Sequence, residues 1–393
     1  SDHTQTRWGP RLPWMVGAAL PLGISLAAIW WVPNGSITEK TFYYIVITIL
    51  LMTAYTCVNL PFAALSTELT QDTNIRTRLN AARFTGSILA GLSGLVVAAG
   101  LLSVGNEGYI SMGRITGFLA TFATLISCWG LAPFAKKARK PVQKSEPFRL
   151  QLNRIKKNKR FIKIIALYLL LWCGLQLMQT VSLIYLEQVM KVPAELSKWI
   201  PIPFQLSALF GLQFWSIYSN RFGRIKALYK GGFLWISACL IAMVLPPIAS
   251  NFSLNEIFII YNIESFKMIL LLITILAVGF GASTAYLIPW SLLPDAIDAD
   301  PEKPAGIYTA WMGLIQKIGI GLSVQLLGVL LTFAVYRSSN ECLAIGDCLQ
   351  QPASAITTIR LCMGLIPSVL VGIGLLTMRD WSGKKSLLNH SRL

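Results

Sequence analysis

"YTCVNLPFAALSTELTQD" (55–72) and "STAYLIPWSLLPDAIDAD" (283–300) follow one plan. Each carries a proline-aromatic pair, Pro61-Phe62 or Pro289-Trp290, followed by leucine and then by an acidic stretch. Each also closes a long apolar run. A second pair of stretches, "TRWGPR" (6–11) and "SNRFGRIK" (219–226), shares an Arg-aromatic-Gly turn among basic residues. Turn chemistry repeated at matching places in the two halves of a chain points to internal duplication.

The apolar runs fix the environment. Of 393 residues, 54% are hydrophobic and 13% charged, with a mean hydropathy of +0.59. A soluble chain of this length carries about a quarter charged residues. Ten spans are read at 13–32, 41–64, 81–104, 110–134, 161–188, 199–218, 230–249, 268–293, 307–334 and 357–378. About 20 apolar residues cross a ~30 Å hydrocarbon layer as a helix, and a barrel would show short alternating strands instead. The expected fold is an all-α, multi-pass membrane bundle.

The net charge of +17 could point to nucleic acid, but its placement assigns it to topology. Arg7 and Arg11, Arg76 and Arg78, the stretch 136–160, Arg221 to Lys230 and the tail after Arg379 fall on one side; loops near Asn34, Asn106, Lys191, Asn251 and Asp347 fall on the other. Basic loops face the cytoplasm, which places both ends there and implies a plasma (inner) membrane protein with no nucleic-acid partner. One loop, 294–306, departs from this, with Asp295, Asp298, Asp300 and Glu302 against Lys303. The rule counts Lys and Arg, so the topology stands. No cleavable signal with a basic start and a short apolar core is present.

Four spans precede the basic stretch and six follow it, which divides the chain into 1–135 (N-terminal bundle), 136–160 (cytoplasmic linker), 161–378 (C-terminal bundle) and 379–393 (tail). Two spans precede the Arg-Phe-Gly turn of the second half, and none precedes the Arg-Trp-Gly turn of the first. Internal symmetry therefore predicts two pseudo-repeats of six spans, with ten spans present and the first two missing. Paired repeats of this kind belong to transporters.

On these residues the sequence resembles the major facilitator superfamily, and within it the melibiose-permease-like glycoside–pentoside–hexuronide:cation symporters. The resembling stretches are "SDHTQTRWGPRLPW" (1–14), "YTCVNLPFAALSTELTQDTNIRTRLNAARF" (55–84) and "SLLPDAIDADPEKPAGIYTAWMGLIQKIG" (291–319). The resemblance implies alternating-access symport of a sugar or glycoside with H⁺ or Na⁺, with no other cofactor or resident metal. A monomer in membrane lipid is expected. Relatives that carry lysophospholipids leave an amphiphile as the alternative solute, and a truncated, non-transporting membrane protein is the remaining rival. Two departures stand out. Pro10 replaces a basic residue, and Asn59 replaces the aspartate that helps ligate the cation in sodium-coupled members.

The candidate residues follow from the cost of polar groups within spans. Lys317, about ten residues into its span, reads either as a cavity cation meeting substrate or a carboxylate, or as half of a structural ion pair. Arg83, at the opening of the 81–104 span, has a planar fork suited to sugar hydroxyls, or it snorkels to lipid phosphate. The resemblance matches it to a sugar-contacting arginine. Tyr55, Thr56 and Asn59 share one helix face and offer oxygens to a cation, or hydrogen bonds to a neighbouring helix. Gln176, Gln179 and Trp311 suit a sugar site, and equally suit polar contacts between helices. Arg7, Arg11, Arg221 and Arg224, set against Glu68, Asp72, Asp295 and Asp298, read as gating pairs or as solvated topogenic charge. Cys342 and Cys348 are spaced for a small disulfide loop on the outer side. No nucleophile constellation, metal cluster or phosphate-binding loop is found, so no enzyme is expected.

Overall fold

The computed structural model describes residues 4, 6–69, 72–101, 106–135, 148–197, 199–248, 263–301, 305–337 and 351–381. Among them every regular element is helical. In order these are α1 (Leu12–Ala28), α2 (Ile37–Glu68), α3 (Thr73–Leu101), α4 (Asn106–Ala135), α5 (Phe148–Lys157) and α6 (Lys159–Ile184). A π-helical turn (Tyr185–Val189) extends α6, and the one-turn α7 (Ala194–Ser197) follows. The remaining helices are α8 (Pro201–Phe222), α9 (Arg224–Val244), α10 (Ile263–Asp298), α11 (Ala305–Phe333), α12 (Ala353–Met363) and α13 (Leu365–Thr377). Cys342, Cys348 and Asn251 lie outside the described residues.

Seven of the described helical stretches are long and apolar enough to cross a membrane, and α1 is a shorter apolar helix. Local chemistry sets several ends. Ser36 and Glu39 form a reciprocal capping box at α2, with the Ser36 N–H donating to Glu39 Oε2 at 2.7 Å. Prolines occupy the first turns of α1 and α8, where a missing N–H costs nothing. The two Arg-aromatic-Gly turns share a conformation, since Gly9 has φ +87° and Gly223 φ +97°. Only glycine adopts that region readily. Gly223 thereby ends α8 and starts α9 without an intervening loop.

Several boundaries differ from the sequence reading. α3 begins at Thr73 rather than near 81, because Asp72 Oδ1 accepts the Asn74 N–H at 2.7 Å and caps the helix before its arginines. α10 runs to Asp298, so Asp295 and Asp298 belong to its last turns. A helix, α5, also forms within the basic stretch.

The chain divides into two compact units, residues 1–158 with 294–313, and residues 159–293 with 314–393. In the first unit α1 packs on α2 and α4. Gly23 and Gly117 bring α1 and α4 into backbone contact: a Cβ at Gly117 would meet the Gly23 carbonyl, and one at Gly23 would lie 2.5 Å from the Gly117 oxygen. Leu12, Met15, Leu65 and Cys128 form a buried cluster beside this contact.

The same unit holds a polar network. Tyr308 OH donates to Asp300 Oδ2 at 2.9 Å, and Arg154 lies 3.5 Å from the other carboxylate oxygen. Asn158 Nδ2 donates to Tyr308 OH and to the Ala296 carbonyl, both at 2.9 Å. Ile155, 3% exposed, seats α5 beside these groups.

In the second unit α6 and α9 pack around α13, and α8 lies on α9. Small residues again set the spacing. A Cβ on Gly281 would sit 2.7 Å from the Trp235 backbone nitrogen and 2.8 Å from the Gly231 oxygen. Arg360 Nη1 donates to the Met243 and Leu245 carbonyls at 2.7 and 2.9 Å, closing the C-terminal end of α9.

Candidate functional site

In the first unit, α2 and α3 present the expected polar face. Tyr55 is exposed and Asn59 half-buried. Thr56 turns its hydroxyl back to the Met52 carbonyl at 2.7 Å, which satisfies the donor and leaves an oxygen able to accept. Because α3 starts early, Arg83 is its eleventh residue, about 15 Å along the helix instead of at its mouth. The guanidinium carbon lies 4.7 Å from the Phe84 ring centroid. Leu60 of α2 faces Gly313 of α11, two residues from the half-buried Trp311.

In the second unit the amides of α6 meet aromatic side chains of α10. Gln179 Nε2 donates to Tyr286 OH at 3.3 Å. Trp172 stands edge-on to Tyr286, with ring centroids 5.4 Å apart at 89°. Tyr168 extends the row, its ring tilted 48° against Trp172 at 5.5 Å and its hydroxyl accepting from Trp290 Nε1 at 3.1 Å. Gln176 is occupied closer to home, donating to Thr180 Oγ1 at 3.3 Å. The sequence reading found both amides but missed Trp172 and Tyr286. The available signal was spacing, since Tyr168, Trp172, Gln176 and Gln179 recur at helical intervals along one run.

Lys317 is twelve residues past Ala305, about 18 Å along α11. Two residues on, Gly319 lies on α6 beside Cys173 and Trp172, and Ser323 donates to the Cys173 carbonyl at 3.1 Å. Residues two apart point to nearly opposite sides of a helix. The exposed Lys317 side therefore faces away from α6.

The charged turn residues divide into two kinds. Arg11 is 2% exposed, and Arg224 Nη1 donates to the Ser291 carbonyl at 2.5 Å. Arg7 and Arg221 are exposed. Among the acids, Asp72 caps α3, and Asp295 and Asp298 are half-buried on α10. The side chain of Glu68, which ends α2, lies outside the described residues.

Long apolar helices carrying ionisable and amide side chains part-way along their length, in two units with matching turns, define a multi-pass membrane transporter. More particularly, the chain belongs to the MFS/sugar transport protein family, whose model matches residues 1–381. An uncharacterized symporter of Synechocystis sp. is 26% identical, over 96% of this chain and 82% of the relative. The sodium-dependent lysophosphatidylcholine symporter 1 of Xenopus tropicalis is 22% identical, over 96% of this chain and 74% of its own length. An Escherichia coli protein named as a glycoside/cation symporter is 25% identical, over 94% of this chain and 76% of its own. Among solved structures, the E. coli fucose:proton symporter matches with a TM-score of 0.66 at 13% identity, over 96% of this chain and 85% of that one. That last likeness is one of fold.

Proposed function

We propose that the chain moves a sugar or glycoside across the plasma membrane by alternating access, coupled to H⁺ or Na⁺, as a member of the glycoside–pentoside–hexuronide:cation branch. The observation that carries this reading is the Gln179–Tyr286–Trp172 group, an amide, a phenol and an indole assembled where an apolar core would suffice. Amides and aromatic faces are what a sugar's hydroxyl edge and apolar face require. Arg83 with Tyr55, and Lys317 with Trp311, add charged and stacking groups on α3, α2 and α11. Support also comes from the sugar-transport family and from the relative named as a glycoside/cation symporter.

Tyr55, Thr56 and Asn59 supply neutral oxygens to the cation. Without a carboxylate at position 59 they favour H⁺, or weak Na⁺ coupling. Basic loops face the cytoplasm. Of the turn arginines, exposed Arg7 and Arg221 suit a contact that forms and breaks, while Arg11 is buried and Arg224 is held by the Ser291 carbonyl of α10. The acids Glu68, Asp72, Asp295 and Asp298 are the proposed partners of these arginines in the gate.

A second reading, transport of a lysophospholipid, is supported by the 22% identity to the lysophosphatidylcholine symporter across 96% of the chain. Lys317 would then meet a head-group phosphate. Purified protein in proteoliposomes separates the two. Uptake of a radiolabelled methyl glycoside under an imposed H⁺ or Na⁺ gradient, abolished by Lys317→Gln in a protein that still purifies as a single species, is the expected result. Uptake of lysophosphatidylcholine alone transfers the assignment to the second reading. Uptake indifferent to both gradients removes the symport step.

A further inference from the structure

Inside the second unit, against the C-terminal half of α6, lies a cavity of about 260 Å³ that shares Gln179 with the proposed sugar group and otherwise uses residues outside it. Apolar walls come from Met178, Phe204, Leu271, Ile275 and Val278. The π-helical turn supplies Tyr185 and Leu186 to its lining. Such a turn widens a helix and recurs where ligands bind.

The polar groups of the lining are nearly all engaged. Ser182 Oγ donates to the Gln179 carbonyl at 2.7 Å, Thr274 Oγ1 to the Leu270 carbonyl at 2.7 Å, and Tyr185 OH to the Ala242 carbonyl. Gln179 Nε2 reaches Tyr286. One buried side-chain atom of the lining has no partner at all. Gln205 Oε1 is buried and has no hydrogen-bond partner among the described residues. A buried acceptor left unmet is costly, and native structures rarely keep one without a reason. The lining contains no Lys, Arg, Asp or Glu, so it offers nothing to an ionic head group.

We infer that this cavity binds a neutral, mostly apolar molecule bearing one hydrogen-bond donor, whose hydroxyl or amide N–H donates to Gln205 Oε1. The volume holds about nine water-sized groups at ~30 Å³ each, well above the ~150 Å³ of an apolar cavity that takes benzene. A sugar is a poor fit, because the walls are mostly apolar side chains and much of its ring of hydroxyls would be stranded against hydrocarbon. A short alkanol, or the hydroxyl end of a neutral lipid, matches in size and polarity. The site lies within one unit and meets the proposed sugar group only at Gln179.

The test uses the full chain in lipid nanodiscs and a diazirine-bearing octanol, with labelled positions mapped by mass spectrometry. Saturable labelling on Met178 to Leu186 and on Phe204 and Gln205 is expected, displaced by 1-octanol and several-fold less well by octane or octyl sulfate. Gln205→Leu keeps the shape and removes the acceptor. It should weaken displacement by 1-octanol roughly two- to twelve-fold, the worth of one net hydrogen bond, and leave octane unchanged. Non-saturable labelling confined to lipid-facing side chains such as Phe210 and Ile273 would overturn the site. Equal displacement by octanol and octane in the unmutated protein would overturn the role of Gln205, and needs no variant to fold.

Discussion

Asp300→Ala is the most informative single change in the first unit. Its carboxylate accepts from Tyr308 at 2.9 Å and lies 3.5 Å from Arg154, while itself 6% exposed. The substitution strands a fully buried phenol, costing about 1–3 kcal/mol. It also removes the countercharge of Arg154, whose side chain is 18% exposed. Partial solvation holds that second loss near ~1 kcal/mol, well below the ~3–5 kcal/mol of a fully buried pair. Together the loss is about 2–4 kcal/mol, or roughly 4–16 °C in melting temperature for a unit of this size. Asp300→Asn keeps a carbonyl acceptor for Tyr308 and loses the charge, so it should fall by roughly a third as much. Adding Tyr308→Phe to Asp300→Ala should recover part of the loss, since deleting both partners costs less than stranding one. The assay is a fluorescence-detected melt of the purified full chain in one detergent. A shift under 1 °C for Asp300→Ala, or a double variant no better than the single, would refute the network as drawn.

Three further outcomes are expected. Gly117→Val should sharply lower the yield of folded protein, because its Cβ meets the Gly23 carbonyl and overpacking costs about 1–3 kcal/mol; Gly91→Ala, with nothing within 4 Å of an added Cβ, should be neutral or stabilising in the same melt. Tyr286→Phe removes the acceptor of Gln179 and should raise the KM for the glycoside about three- to tenfold, with folded yield unchanged; an unaltered KM would detach this pair from the substrate. Arg83→Lys keeps the charge but loses the planar fork, so uptake should fall about tenfold; equal uptake by both proteins would assign Arg83 to electrostatics alone.

The sequence disclosed the helices more readily than their neighbours. Each of the ten expected spans has a helix beneath it, of which seven are long and apolar enough to cross a membrane; α1 is shorter, and α3 and α8 are not among the seven. Helix ends were less legible, because they depend on single caps such as Asp72 rather than on any periodic signal. α5 was hidden for a related reason. Arg154, Lys156 and Lys157 sit in its last turn and read as topogenic charge, while Ile155, which seats it, is one residue in ten. At the candidate site, Lys317 and the α6 amides were conspicuous as polar groups in apolar runs. Tyr286 and Trp172 were not, since aromatic residues are ordinary in such runs, and only the fold places one across from the other. Asp300 was noted as a loop acid without its partners: Arg154 is remote in sequence on α5, and Tyr308, eight residues on in α11, read as an ordinary aromatic.

The Arg360 clamp bears on how the protein is made. Met243 lies 117 residues ahead of the arginine that satisfies its carbonyl. At ~5–20 residues per second, a ribosome needs roughly 6–23 s to bridge that interval. Through that time the end of α9 has no intramolecular donor for these oxygens, and a bare carbonyl is not tolerated in hydrocarbon. The end of α9 must therefore wait in water or in the insertion machinery until the last span emerges. The end of α9 is sealed only when α12 arrives, so a chain interrupted before Arg360 carries an unfinished α9.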